Sequence, residues 1–334
     1  MLGGFFALIA AATFALNNAT LRRGVLTGTV VQAMAVTVPL GIPLFLAGAL
    51  LADQAAVLLS FSRDAVLALC VAGVIHFIWG RYCNYRATQA IGANLVAPVQ
   101  QFSLLCSLGL AIWLLGETLT PLRMLGIALV IIGPAFTLHE VRREHPPKGA
   151  AKSSGSPSDL PVFSPRYAEG YLFALLSASG YGTSPILVRF ALEGKGIGAG
   201  LAAGVISYTA ATVVLLLFLL VPRQIADIRS MKFESAKWFT ISGVLVCVSQ
   251  MFTYTAMAIA PVSVVIPIQR LSMVFRIYCA KLITPDHEVF GPGIVAGTGV
   301  SLLGAICLSL STDLVLSMLP LPDGAADLLR TQWP

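Results

Sequence analysis

The sequence predicts an all-α membrane protein whose ten transmembrane helices form two inverted five-helix repeats. Three observations carry this. Hydrophobic residues make up 57% of the 334 positions and charged residues 11%, against roughly 45–50% and about 25% in an ordinary soluble domain. So few polar side chains cannot cover a water-facing surface. The apolar residues also come in runs long enough to cross a bilayer, which takes roughly 20 residues. Finally, one unusual segment occurs twice: Pro98, Val99, Gln100, Gln101, Phe102 and Ser103 return as Pro267, Ile268, Gln269, Arg270, Leu271 and Ser272, 169 positions later.

Taken in order, the expected spans of the first half are 2–21, 28–51, 65–86, 93–115 and 119–138. Those of the second half are 169–190, 199–221, 236–258, 262–283 and 289–310. The run 2–21 lacks a basic leader, which argues against a cleaved signal peptide. Between the halves, 145–159 is rich in Pro, Gly and Ser and shows no apolar period, as in a mobile linker. The expected organisation is therefore a first repeat over 1–140, a linker over 141–167, a second repeat over 168–312 and a tail over 313–334. The copies also match outside the Pro-Gln segment. Leu21 and Arg22 align with Val188 and Arg189, Glu117 with Glu288, and Gly126 and Gly133 with Gly297 and Gly304. The offset drifts from 167 through 169 to 171, so small insertions separate the copies. Five spans per copy force the second to enter from the opposite side, an arrangement used by secondary transporters with the site where the halves meet.

Of the 21 Lys and Arg residues, fifteen fall on one side of this topology, five on the other, and Arg270 falls within a span. The positive-inside rule places the richer side in the cytoplasm and both termini outside. The net charge of +6 belongs to these loops; no basic stripe interleaved with aromatics points to nucleic acid. The six cysteines all lie in apolar runs without a CxxC pair and read as small packing residues rather than metal ligands. No Walker loop, HExxH or GxSxG motif occurs, which excludes direct ATP drive and the familiar hydrolase chemistries.

A resemblance rests on Ala90, Ala93, Ala97 and Pro98, on the stretch from Leu114 through Gly116 and Glu117 to Thr120, and on Leu125, Gly126 and Gly133. The second copy keeps Pro267, Glu288, Gly297 and Gly304 but carries His287 before its glutamate. On these residues the chain resembles the drug/metabolite transporter superfamily, of the EamA type with two repeats, over about residues 2–312. The resemblance implies ten helices and movement of small metabolites or drugs across the inner (plasma) membrane; separately, the sequence offers no convergent nucleophile and base, so no enzymatic activity is expected. The resemblance also implies cytoplasmic termini, in conflict with the charge count. Related exporters of cationic drugs carry a carboxylate in the first span; this chain has Asn17 and no acidic residue before Asp53.

Ionisable groups inside a bilayer are costly and so are candidates for function. Arg270 stands three residues after Pro267 where the first copy has Gln101, and reads either as an anchor for a carboxylate or phosphate or as an arginine that satisfies carbonyls freed by the proline or snorkels to the interface. Gln269, Ser272 and Arg276 share a helical face, as do Gln100, Ser103 and Ser107, giving two facing cavity walls or two packing seams. Thr13, Asn17 and Thr20 form a polar stripe on the first span, and Ser177, Tyr181 and Ser184 one on the sixth. His76, Trp79 and Cys83 share a face of the third, where a histidine could carry a proton or simply pack. Glu117 and Glu288 read as structural residues of short connections. The expected substrate-binding set is thus Arg270, Gln269, Gln100, Gln101, Asn17, Tyr181, Ser184, Arg276, His76 and Trp79. The expected ligand is a small polar metabolite, anionic or zwitterionic, with a multidrug exporter, an intramembrane enzyme and a non-transporting scaffold as rivals. Membrane lipid is the other expected partner; no cofactor, metal or nucleic acid is expected, and a homodimer is left open.

Overall fold

The computed structural model describes residues 2–115, 120–144, 165–196, 198–259, 265, 268–309 and 324. Most of the expected linker and tail, with Glu117 and Pro267, lies outside them. Among the described residues every regular element is helical. Six helical stretches among the described residues are long and apolar enough to cross a membrane: Leu2–Val25, Val30–Leu51, Arg63–Ile91, Tyr167–Leu192, Ala199–Leu219 and Phe233–Ile259. Shorter apolar helices run over Pro121–Phe136 and Pro292–Leu308.

The helices are labelled α1 (Leu2–Val25), α2 (Val30–Thr37), α3 (Gly41–Leu51), α4 (Arg63–Gly73), α5 (Arg81–Ile91), α6 (Ala93–Val99), α7 (Phe102–Leu115), α8 (Pro121–Glu144), α9 (Tyr167–Leu192), α10 (Ala199–Leu219), α11 (Pro222–Arg229), α12 (Phe233–Ile259), α13 (Ser272–Ile283) and α14 (Pro292–Ser309). Local chemistry sets several boundaries. Thr29 and Gln32 form a reciprocal capping box at the start of α2. Gly92, at φ +84°, ends α5 in a conformation that side chains disfavour. Between α4 and α5, Val74–Gly80 winds as a π-helix.

The repeated Pro-Gln segment is a helix break in both copies. Residues 100–101 separate α6 from α7, and Leu271 separates the turn at 268–270 from α13. At each break the backbone tightens to i→i−3 bonds: Gln101 N–H donates to Pro98 O at 3.1 Å, and Leu271 N–H to Ile268 O at 3.1 Å. Irregular backbone at membrane depth is tolerated where it is buried in protein or lines a cavity.

The exterior is apolar, with Leu51, Leu217, Phe218, Leu282 and Leu303 well exposed, while alanine is the commonest buried apolar residue and several glycines sit where helices approach closely. Lipid gives little hydrophobic drive between helices, so small residues that let backbones approach are what hold them. A Cβ on Gly200 would sit 2.7 Å from the Tyr254 carbonyl group, and one on Gly73 2.2 Å from Ser207 O. Helix α1 runs antiparallel to α12, with Ser249 Oγ donating to Ala10 O and Ser242 Oγ to Asn17 Oδ1. The counterpart pairing sets α9 against α4 and α5. The connections sort to two ends. Thr29 meets Asp227, Thr27 meets Ser235 and Arg86 meets Glu169 at one; Lys195 donates to Ser60 O at the other.

Candidate functional site

A cavity of about 120 Å³ lies where the two halves meet. Ala10, Ala11 and Phe14 of α1, His76 of the π-helical segment and Ser107 of α7 line it from the first half. Tyr181 and Pro185 of α9, Ser249, Gln250, Thr253 and Met257 of α12, and Gln269, Arg270 and Ser272 at the second break line it from the other. A larger groove of about 330 Å³ is bounded by Val31, Met34, Ile78, Trp79, Tyr82, Leu215 and Phe218. It lacks charged and hydrogen-bonding variety and opens on the apolar exterior, so the smaller cavity is the candidate.

Arg270 is the one charged side chain among the described lining residues. Its Nε is enclosed without a hydrogen-bond partner. Beside it, Gln269 Nε2 donates to Thr253 Oγ1 at 2.7 Å. His76 is fixed on the opposite wall by Ser184 Oγ at 2.6 Å from Nδ1 and by Gln250 Nε2 at 3.3 Å from Nε2, with its ring 4.6 Å from that of Tyr181. The Arg270 side chain is part-buried at the cavity wall, and the described lining residues include no carboxylate to pair with it.

The first half repeats this geometry without the hollow. Gln100 Nε2 donates to Asn84 Oδ1 at 2.7 Å, the counterpart of the Gln269–Thr253 bond at the same 169-residue offset. Where the cavity has Ser107, its counterpart is Arg276. The Arg276 side chain fills the equivalent space, both Nη atoms 3.3 Å from Gln100 Oε1 and Nη1 3.3 Å from Ala93 O. One side of the pseudo-symmetric pair is open and the other is plugged.

Of the expected site residues, Arg270, Gln269, Tyr181 and His76 line the cavity, and Ser184 touches it through His76. The others lie elsewhere. Gln100 and Arg276 are buried against each other. Gln101 is turned to Met273 Sδ at 2.7 Å. Asn17 joins α1 to α12 through Ser242, while Thr13 and Thr20 bond their own helix. Trp79 is 49% exposed, its indole N–H donating to Leu176 O at 3.1 Å on the outer surface. The shared face expected for His76 and Trp79 assumed an α-helix; the π-helical winding takes more residues per turn, so the i, i+3 register lapses. Likewise the break at Leu271 divides Gln269 from Arg276, which an unbroken helix would align. Gln250, Thr253 and Ser249 were missed: they are scattered polar residues in a long apolar run, and only their spacing of three and four carried a signal.

The EamA-like transporter family model matches residues 1–138 and 168–310. The chain belongs to the EamA-like transporter family. As a member it is a multi-pass membrane transporter of the drug/metabolite type. A solved crystal structure of another protein covers 92% of this chain and 94% of its own, with a TM-score of 0.56 and 16% identity, a likeness of fold alone. No curated protein sequence matches the chain at a comparable standard. Both segments matched by the family model contribute to the cavity, one through His76 and Ser107 and the other through Arg270 and α12.

Proposed function

We propose that this EamA-like protein is a secondary transporter that carries a small anionic or zwitterionic metabolite across the inner (plasma) membrane by alternating access. The observation that carries the substrate class is Arg270: a guanidinium at a polar cavity, with no carboxylate among the described lining residues. A ligand carboxylate or phosphate would meet it in a bidentate contact, and Gln269, Gln250 and His76 would orient the remainder. The same charge repels organic cations, which weighs against the multidrug reading despite Phe14 and Tyr181 in the wall.

In this reading the chain has ten spans: the six long helices, the two broken ones centred on residues 100–101 and 271, and the two helices α8 and α14. Antiparallel packing of α8 on α14 and the exchanged pairings of α1 with α12 and of α9 with α4 and α5 support two inverted repeats. Alternating access draws support from the filled twin of the cavity: rocking of the halves would withdraw Arg276 and close the hollow around Gln269. The domain limits are those of the repeats, 1–140 and 168–312, with the linker on the cytoplasmic side.

The test is a thermal-shift screen of purified protein against pools of carboxylates, phosphates, zwitterions and lipophilic cations. A ligand at a hundred times its Kd stabilises by about 2.7 kcal/mol. A carboxylate, phosphate or zwitterion is expected to stabilise the wild type and not Arg270→Gln. Stabilisation by cations that survives Arg270→Gln would establish the exporter reading instead.

A further inference from the structure

We propose that Arg22 and Glu288 form the gate that seals one end of this transporter's cavity. Arg22 lies in the last turn of α1 and is fully buried. Glu288 lies in the connection between α13 and α14, its side chain also enclosed. Arg22 Nε stands 3.6 Å from Glu288 Oε1. The rest of the guanidinium is spent on carbonyls: Nη1 donates to Thr88 O at 2.9 Å and Gln89 O at 3.1 Å, and Nη2 to His287 O at 2.7 Å. Glu288 accepts from the backbone N–H of Ala93 at 2.6 Å and of Asn94 at 3.0 Å. Gly92 makes room, since a Cβ there would fall 2.6 Å from Glu288 Oε2. One ion pair thus ties α1 and the α5–α6 corner, from the first half, to a loop of the second.

Its place and its chemistry both suit a gate. Arg22 is about 12 Å further along α1 than Phe14, which lines the cavity. Between the two, Arg276 donates to Ala93 O, the residue whose N–H Glu288 holds. The backbone groups in the knot belong to helix ends or to the loop, so water can satisfy them on release without breaking a helix interior. A buried ion pair is also near energetic balance, because the hydration regained on parting offsets the lost attraction. An apolar seal has no such return. This inference rests on the family's transport function and not on the charge of the substrate.

The experiment needs no substrate. In protein whose six native cysteines are replaced, Ser272→Cys places a thiol at the cavity. A membrane-impermeant maleimide is applied from the Arg22–Glu288 side of oriented vesicles. Glu288→Gln is expected to raise the labelling rate at least tenfold, together with faster hydrogen exchange at the Ala93 and Asn94 amides and unchanged exchange in α8 and α14. Arg22→Lys, which keeps the charge but loses the fork, is expected to do the same and serves if Glu288→Gln does not purify. The double variant Arg22→Met with Glu288→Leu restores an apolar closure and labels no faster than its parent. Labelling of both single variants at the parent's rate overturns the gate. So does faster exchange throughout the chain, which would make the pair a fold-holding contact only.

Discussion

Gly126 of α8 faces Gly304 of α14 so closely that a Cβ on either would lie 2.9 Å from the other's carbonyl oxygen. Gly133 meets Gly297 in the same way, a Cβ on it falling 2.8 Å from that carbonyl. These are the glycines that the sequence repeat aligns in crossed order, Gly126 with Gly297 and Gly133 with Gly304. The crossing is what two antiparallel helices related by a two-fold axis produce. Close backbone approach stands here in place of a hydrophobic drive.

Gly304→Val is therefore expected to destabilise the protein strongly, by at least the roughly 1–3 kcal/mol of overpacking, because backbone atoms of α8 cannot move aside. Gly299→Ala, on the same helix with nothing within 4 Å of the added methyl, is the control. It is expected to be neutral or stabilising by up to about 1 kcal/mol. Thermal unfolding in detergent distinguishes them.

Arg276→Gln is expected to bind and transport better than Arg270→Gln. Arg276 is held by Gln100 and Ala93 outside the hollow, whereas Arg270 borders it. The measurement is initial transport rate and Kd for the compound with the largest thermal shift. Equal losses in both variants would show that Arg276 also contacts the ligand.

Asn17→Ala is expected to cost roughly 0.6–1.7 kcal/mol, the range for interhelical hydrogen bonds in membranes, through loss of the 2.7 Å contact with Ser242. Ligand affinity is expected to stay as in the wild type. A change of Kd greater than about threefold, close to 0.6 kcal/mol, would return Asn17 to the binding site.

The end that gathers Arg22, Arg86 and Arg166 is expected to face the cytoplasm. Alkaline phosphatase fused after Pro334 is then active, and a fluorescent protein fused there is dark. The reverse pattern would place both termini inside, as the family resemblance implies.

Four of the residues that line the candidate cavity, Arg270, Gln269, Tyr181 and His76, were expected at the site from the sequence, and the misses have identifiable causes. Arg270 stood out because a charge in an apolar run beside a proline is costly wherever the helix points. Gln100 and Gln269 looked equivalent, and their bonds to Asn84 and Thr253 are; nothing in the pattern told that Arg276 would plug one side and leave the other hollow. Glu288 read as a local connection residue because its partners lie 195 positions away at Ala93 and 265 from its neighbour His287 at Arg22.

By itself the sequence determined the solvent, the helices and the duplication. Composition, run length and a recurring Pro-Gln segment are properties of the chain taken along its length, and the bilayer leaves few ways to satisfy such a backbone. Only the tertiary structure decided which polar side chains meet each other and which meet empty space. A serine or glutamine in an apolar helix has the same local pattern in either role. The difference arises from the π-helical turn at Val74–Gly80 and the break at Leu271, which rotate Trp79 outward and part Arg276 from Gln269, and from partners that only the packed halves bring within hydrogen-bonding distance.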